Sequence, residues 1–357
     1  MSSIGLLLAA IMSLTNVLTD VARKHALDKR DLIPATFWIR AAVTAVFAAA
    51  LGMRLLAGSA VEIRDGGPLF GIATLHLAPV PTFLVYWAVD VGLITWVLWL
   101  YFRALQISPL SMCLPFLAFT PVFLIPTGFI LLGETTSPGK SLGVILVVAG
   151  SLVMHRRLFD QGWIAPVKAV VRERGSRYML IVAFVFALTN PLEKKLVVMS
   201  DVFTEAFAYG LGLTLMFFLL GRAMKADFAA ALRSNAGWVS LAGLLDAASL
   251  LFQLASYTFI SVVITVSIKR AGIVLSVVAG WLFFRERGIT DKLIAASVMF
   301  CGVLILYLPL TLSQAVGLSA LAVVGMSIGL YSTRNRTAAG VSVEAGPVGE
   351  LSDAGRN

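Results

Sequence analysis

Apolar runs of about twenty residues recur along this chain, parted by short polar breaks. Runs of that length match the ~30 Å hydrocarbon core of a bilayer at 1.5 Å per helical residue. They predict spans over 4–22, 34–56, 82–105, 109–132, 139–155, 178–199, 203–221, 236–258, 261–284 and 290–308. In lipid every backbone N–H and C=O must be satisfied within its own segment, so these spans are helices. A further apolar run, Gln314 to Tyr331, is an eleventh candidate, and the tail over 332–357 has no periodicity and reads as disordered. The strongly basic stretch 156–177 falls between the fifth and sixth spans, midway along the core.

That midpoint suggests a duplication. Glu134 closes the fourth span and Glu286 the ninth; six residues before each stands a glycine, Gly128 and Gly280, and sixteen after each another, Gly150 and Gly302. Asp90 and Asp246, in the third and eighth spans, each precede a tyrosine by eleven residues, Tyr101 and Tyr257. The tripeptide LTN recurs at Leu14–Asn16 and Leu188–Asn190, followed by Asp20 and Glu193. A unit of five spans is odd, so its two copies face opposite ways. Inverted five-span repeats are a transporter architecture with the substrate near midplane. The expected organisation is an all-α membrane protein: a first five-helix repeat over 1–155, a basic connection over 156–177, a second, inverted repeat over 178–310, a possible extra helix over 311–331, and the tail.

Composition agrees. Of 357 residues 59% are hydrophobic and 13% charged, against about 25% charged in soluble domains. The net charge of +9 belongs mostly to loops and implies no nucleic-acid partner. Counted with the span ends that adjoin them, the loops after odd-numbered spans hold 17 Lys and Arg and those after even-numbered spans 5. The positive-inside rule then puts the odd loops in the cytoplasm and the N-terminus outside. Cys113 and Cys301 lie in apolar runs, and His25, His76 and His155 form no cluster. No metal and no cofactor are expected.

Charge inside the spans is where function is expected, because each such side chain is costly in lipid. Between Ala236 and Phe284 only Asp246, Lys269 and Arg270 are charged. A turn at Lys269 would leave an overlong eighth helix, so the turn belongs near Thr258–Ser261. Lys269 then lies roughly 12 Å inside the ninth span. Its stripe reads Thr265, Gly272, Ser276 and Gly280, small or polar throughout, a face for close packing or for a cavity. Lys269 and the adjacent Arg270 together offer a point charge and a planar fork for phosphate or carboxylate. Asp246, Ser249, Gln253 and Tyr257 form a polar stripe on the eighth span. Asp246 is expected to pair with Lys269 or Arg270, while Asp90 is open between a functional and a structural role. Glu193, Lys194 and Lys195 follow Asn190 and Pro191; at least one lysine is expected to snorkel. Arg40 reads equally as an interfacial anchor or a site residue. Asn16 and Asp20 share a face of the first span. Pro109, Pro115, Pro121 and Pro126 bend the fourth span, giving either a gating helix or a static kink. Glu134 and Glu286 read as structural or gating.

The stretches ALQISPLSMCLPFLAFTPVFLIPTGFILLGE at 104–134 and SIKRAGIVLSVVAGWLFFRER at 267–287 are small-residue helices closing on an acid. In this the chain resembles the EamA branch of the drug/metabolite transporter superfamily, over about residues 4–308. The Lys269–Arg270 pair also resembles the lysine–arginine pair of the related sugar-phosphate/phosphate translocators, which holds a substrate phosphate. The chain departs from that pattern in its possible eleventh span and long tail.

The resemblance implies a secondary transporter working by alternating access on a small organic anion, phosphorylated or not. The alternatives are a proton-coupled exporter of amino acids, drugs or other metabolites, and a flippase for a phosphate-bearing lipid. The candidate substrate residues are Lys269, Arg270, Thr265, Ser276, Tyr257, Gln253, Arg40, Asn16 and Asn190. Asp246, Asp90, Glu193 and Asp20 are the coupling or counter-ion candidates, and Pro115, Pro121, Gly272 and Gly280 the gating ones. Membrane lipid is the expected surrounding, in a bacterial inner membrane; monomer and homodimer are both open. No nucleotide-binding or HExxH motif points to an enzyme.

Overall fold

In the computed structural model the described residues are 2–26, 32–71, 76–107, 114–154, 174–272, 289–308, 310–325 and 327. They form an all-α fold: α1 Ser3–Ala26, α2 Leu32–Leu56, α3 Pro79–Ile107, α4 Thr120–Leu132, α5 Pro138–Met154, α6 Arg174–Met199, α7 Val202–Ala223, α8 Phe228–Tyr257, α9 Val262–Ala271, α10 Ile289–Tyr307 and α11 Leu312–Gly325. Segments of α1, α2, α3, α7 and α8 are long and apolar enough to cross a membrane.

Helix ends follow local chemistry. The Asp201 carboxylate accepts from the amides of Phe203 and Thr204 to start α7, and Asp227 does the same for α8 from Ala229 and Ala230. α8 therefore begins two turns before the predicted span. Arg174 and Arg177, assigned to the basic connection by sequence, lie within α6. Arginine is a good helix former, and the helix outruns its apolar segment. The rest of that connection, over 156–173, lies outside the described residues, as do 273–288 and the tail.

The turn between α8 and α9 falls where length arithmetic put it, with Thr258 closing one helix and Ser261 opening the next. The predicted fourth span is not one helix. A 3-10 turn over Leu114–Phe119 precedes α4, and Pro121 sits in the first turn of α4, where its missing N–H costs nothing. Pro115 belongs to that turn; Pro126 lies inside α4. α11 extends only about 20 Å over its described length, less than a hydrocarbon core. Its Ala315 and Leu318 pack with Leu142 and Leu146 of α5 and with Ile305 of α10.

Packing sets the neighbours. α1 lies on α8, and α3 on α6; α2 lies on α7 and α8, and α3 also meets α7; α4 lies on α6, and α9 on α1; α5 lies on α10, and α4 meets α9. The principal core joins α1, α2, α3, α7, α8 and α9 through Met12, Phe47, Val91, Leu213, Leu254 and Ile264. Close approaches use small residues, as expected where lipid supplies no hydrophobic drive between helices. A Cβ on Gly143 would lie 2.9 Å from the Gly302 carbonyl, and one on Gly302 would lie 2.8 Å from that of Gly143. A Cβ on Gly272 would come within 2.0 Å of Ser13 Oγ on α1.

Candidate functional site

Helix α6 supplies the centre. Pro191 has no N–H for the Ala187 carbonyl one turn earlier. Thr127 of α4 fills the gap, its Oγ1 donating to Ala187 O at 2.6 Å. The interrupted turn carries Asn190 and Glu193, 7% and 4% exposed. The Asn190 amide donates back to Phe186 O, which leaves Asn190 Oδ1 turned toward α8.

There Tyr257 OH donates to Asn190 Oδ1 at 2.9 Å and accepts from Gln253 Nε2 at 3.0 Å. Gln253 Nε2 also donates to Glu193 Oε2 at 2.8 Å. The other end of the same amide closes the chain: Lys269 Nζ donates to Gln253 Oε1 at 2.7 Å. Five predicted residues from three helices thus form one network, with an ammonium at one end and a carboxylate at the other. Gln253 bridges them because an amide accepts at one atom and donates at the other. Thr265, fully buried, accepts from Ser256 Oγ at 3.1 Å and holds α9 against α8.

Arg270 points elsewhere. Its Nη2 donates to Thr120 Oγ1 at 3.3 Å, where the 3-10 turn gives way to α4. The predicted pair therefore splits: Lys269 reaches the α6–α8 network and Arg270 the interrupted start of α4. The ~100° that separates neighbours on a helix accounts for this.

Asp246 differs from expectation. Its ion-pair partners among the described residues are Arg40 at 2.9 Å and Arg23 at 2.8 Å, not Lys269 or Arg270. It lies about two turns below Gln253 on α8, level with α2 and the end of α1. Arg40 is 9% exposed and faces Asp246.

Lys194 does not snorkel to bulk water. It donates to Glu134 Oε1 at 2.5 Å and to Ile260 O at 2.9 Å. Gly133, in the left-handed region at φ 68°, stops α4 and delivers Glu134 to this point. Glu134 Oε2 then accepts from Val262 N at 3.1 Å, at the positive end of α9. One carboxylate ties α4, α6 and α9 together, as a structural or gating residue should.

Two residues of this interior escaped the sequence reading. Glu205, not singled out by sequence, lies in the first turn of α7 and is 0% exposed, as is Asp90. None of the four oxygens of Asp90 and Glu205 has a hydrogen-bond partner among the described residues. Arg23 was counted as a loop charge and is instead a partner of Asp246. A carboxylate inside the predicted 203–221 span was the available signal for Glu205.

Asn16 lies partly buried on α1. The side chains of Asp20 and Pro115, and all of Ser276, Gly280 and Glu286, lie outside the described residues. A shallow pocket of ≈ 180 Å³ opens at the α4–α5 and α8–α9 turns, beside Lys140 and Ser261. It is separate from the Lys269 network. Among the described residues no group of three or more His, Cys, Asp or Glu could hold a metal ion.

No protein-family model matches the chain, and no curated protein matches it. Solved structures do: 28 chains are similar. One, titled "Crystal structure of protein", has 16% identity and a TM-score of 0.63, covering 85% of this chain and 97% of its own. At that identity the likeness shows the fold alone. Fold and composition together define a multi-span helical membrane protein of an architecture consistent with transport.

Proposed function

We propose that the protein is a secondary transporter, not an enzyme, that carries a small organic anion across a bacterial inner membrane by alternating access. The observation that carries this reading is Lys269: a partly buried cation on α9 whose Nζ donates to the neutral amide of Gln253 at 2.7 Å. Such an ammonium can exchange the Gln253 oxygen for an oxygen of the substrate, a charge-assisted hydrogen bond where the substrate is anionic. Arg270, on the next residue, offers a second grip at the interrupted start of α4.

Helix pairing supports the inverted five-helix reading. Replacing each helix by the one five places on turns α1–α8 into α6–α3, α2–α8 into α7–α3, and α4–α6 into α9–α1, and all six contacts occur. The pairs α2–α7, α4–α9 and α5–α10 map onto themselves. A bundle so paired has two like halves free to rock about a shared centre. The resemblance to the drug/metabolite transporters is of the same kind.

One observation favours a second cargo. Glu193 sits at the other end of the Gln253 bridge, so the network presents a carboxylate and an ammonium together. That arrangement suits a zwitterion such as an amino acid, exported against protons.

Counterflow into liposomes holding the purified protein tests both readings, with phosphorylated sugars, dicarboxylates and amino acids as radiolabelled cargo. Lys269→Ala is expected to abolish uptake and Lys269→Arg to retain part of it. Wild-type uptake by Lys269→Ala would remove the proposed site. Glu193→Gln distinguishes the cargoes: amino-acid transport is expected to fall further than anion transport, because only the amino acid would lose a partner for its ammonium.

A further inference from the structure

The described interior holds more negative charge than the substrate network uses. Asp90 on α3 and Glu205 on α7 are both fully buried, and their four oxygens lack hydrogen-bond donors among the described residues. Glu193 on α6 is close enough for its charge to act on both, and theirs on each other. Isolated ionised carboxylates in such surroundings are among the costliest groups a fold can contain. Nearby cations are committed: Arg40 to Asp246, and Lys269 to Gln253.

We propose that Asp90 and Glu205 are proton-binding sites whose occupancy governs the Lys269 network through Glu193. A proton needs one oxygen and no coordination shell. A metal ion needs several convergent ligands, and no described group of three acids converges well enough to hold one. Glu193 is the relay because its charge acts on both carboxylates and it also accepts from Gln253, which holds Lys269. With Asp90 and Glu205 neutral, Glu193 keeps its bond to Gln253. When they release protons, their charge repels Glu193 and loosens the amide that holds Lys269. The other charged or titratable groups facing this cluster are Tyr209 on α7, Arg40 on α2, Asp246 and Tyr257 on α8, and Lys269 on α9. The link to substrate rests on the transporter reading; proton binding itself does not.

The test needs no substrate. Infrared spectra of the full chain in lipid are taken across a pH series, with choline chloride and with sodium chloride at equal ionic strength. The wild type is expected to show a protonated-carboxyl C=O band at neutral pH that fades as pH rises and ignores sodium. Asp90→Asn and Glu205→Gln should each remove part of that band, while Asp90→Glu retains it. Absence of the band, its indifference to both substitutions, or its loss on adding sodium at fixed pH would overturn the proposal. Should either variant fail to fold, the wild-type series still decides, since a pH-insensitive or sodium-sensitive band defeats the assignment. Failure here leaves the Lys269 reading intact, and failed transport with a normal band leaves this one intact.

Discussion

Asp90 and Asp246 look alike in sequence: each sits inside an apolar run, eleven residues before a tyrosine. Their surroundings are opposite. Asp246 lies between two guanidinium groups, Arg40 at 2.9 Å and Arg23 at 2.8 Å. Asp90 is sealed from solvent with both oxygens unpartnered among the described residues. The physical difference lies in what removal would expose. Taking away Asp246 removes the carboxylate that faces the buried Arg40 and the half-buried Arg23, whereas neutralising Asp90 strands no described cation. A paired intramembrane acid is thus a strut, and an unpaired one is available to bind something else. Glu134 and Asp201, each with an identified cation partner, belong with Asp246; Glu205 belongs with Asp90.

That division can be broken by measuring stability across the acids. Asp246→Ala is expected to cost the most, about 3–5 kcal/mol, because it takes the carboxylate away from the buried Arg40. Unfolding in mixed micelles would measure it, and adding Arg40→Met should recover part of the loss. A cost near zero would place Asp246 with the unpaired acids. Glu134→Gln comes next, at about 1.5–3 kcal/mol, since it weakens the charged hydrogen bond from Lys194 and the contact with the start of α9. Protease sensitivity at the α8–α9 turn should rise with it.

Asp201 gives a smaller effect and a pH signature. Partial burial pushes its carboxyl up, but the Thr204 hydroxyl, the Phe203 and Thr204 amides and Arg54 outweigh this and hold it below the ordinary 3.8. A carboxyl lowered on folding contributes stability at pH above its unfolded value. That contribution fades as pH falls through the lower folded value. Asp201→Ala is therefore expected to cost about 1 kcal/mol as a lost helix cap and to flatten the acid limb of stability below about pH 4. An unchanged acid limb would show that Asp201 contributes nothing through its charge. Asp90→Asn is expected to have the least effect, with thermal stability equal to or above wild type. A large loss there would mean Asp90 has a cationic partner after all, and the contrast with Asp246 would collapse.

Much of this protein was readable before any coordinates. The helices over α1–α3 and α5–α8 follow apolar runs, because the bilayer leaves the backbone no alternative to internal hydrogen bonding. The α8–α9 turn followed from the same length argument, and so did Lys269 lying inside the bundle. The stripe of Gln253 and Tyr257 was legible from helical periodicity alone, whereas its contact with Asn190 and Glu193 came from the packing of α8 against α6. The fourth span was the least legible helix: its prolines announced a break but not that the chain would pass through a 3-10 turn before Thr120.

Which charge meets which was not legible. Asp246 could have met Lys269 or Arg270 on the neighbouring helix, and only the packing of α1 and α2 against α8 delivers Arg23 and Arg40 instead. The burial of Glu205 in the first turn of α7 likewise depends on helices distant in sequence. Spacing along one helix determines which residues share a face, and this chain's composition and periodicity therefore determined its spans and polar stripes by themselves. The partner of each buried charge depends on helices up to 223 residues apart in sequence, whose rotation and depth are settled by close contacts such as Gly143 on Gly302 and Gly272 on Ser13. Only the tertiary structure decided those.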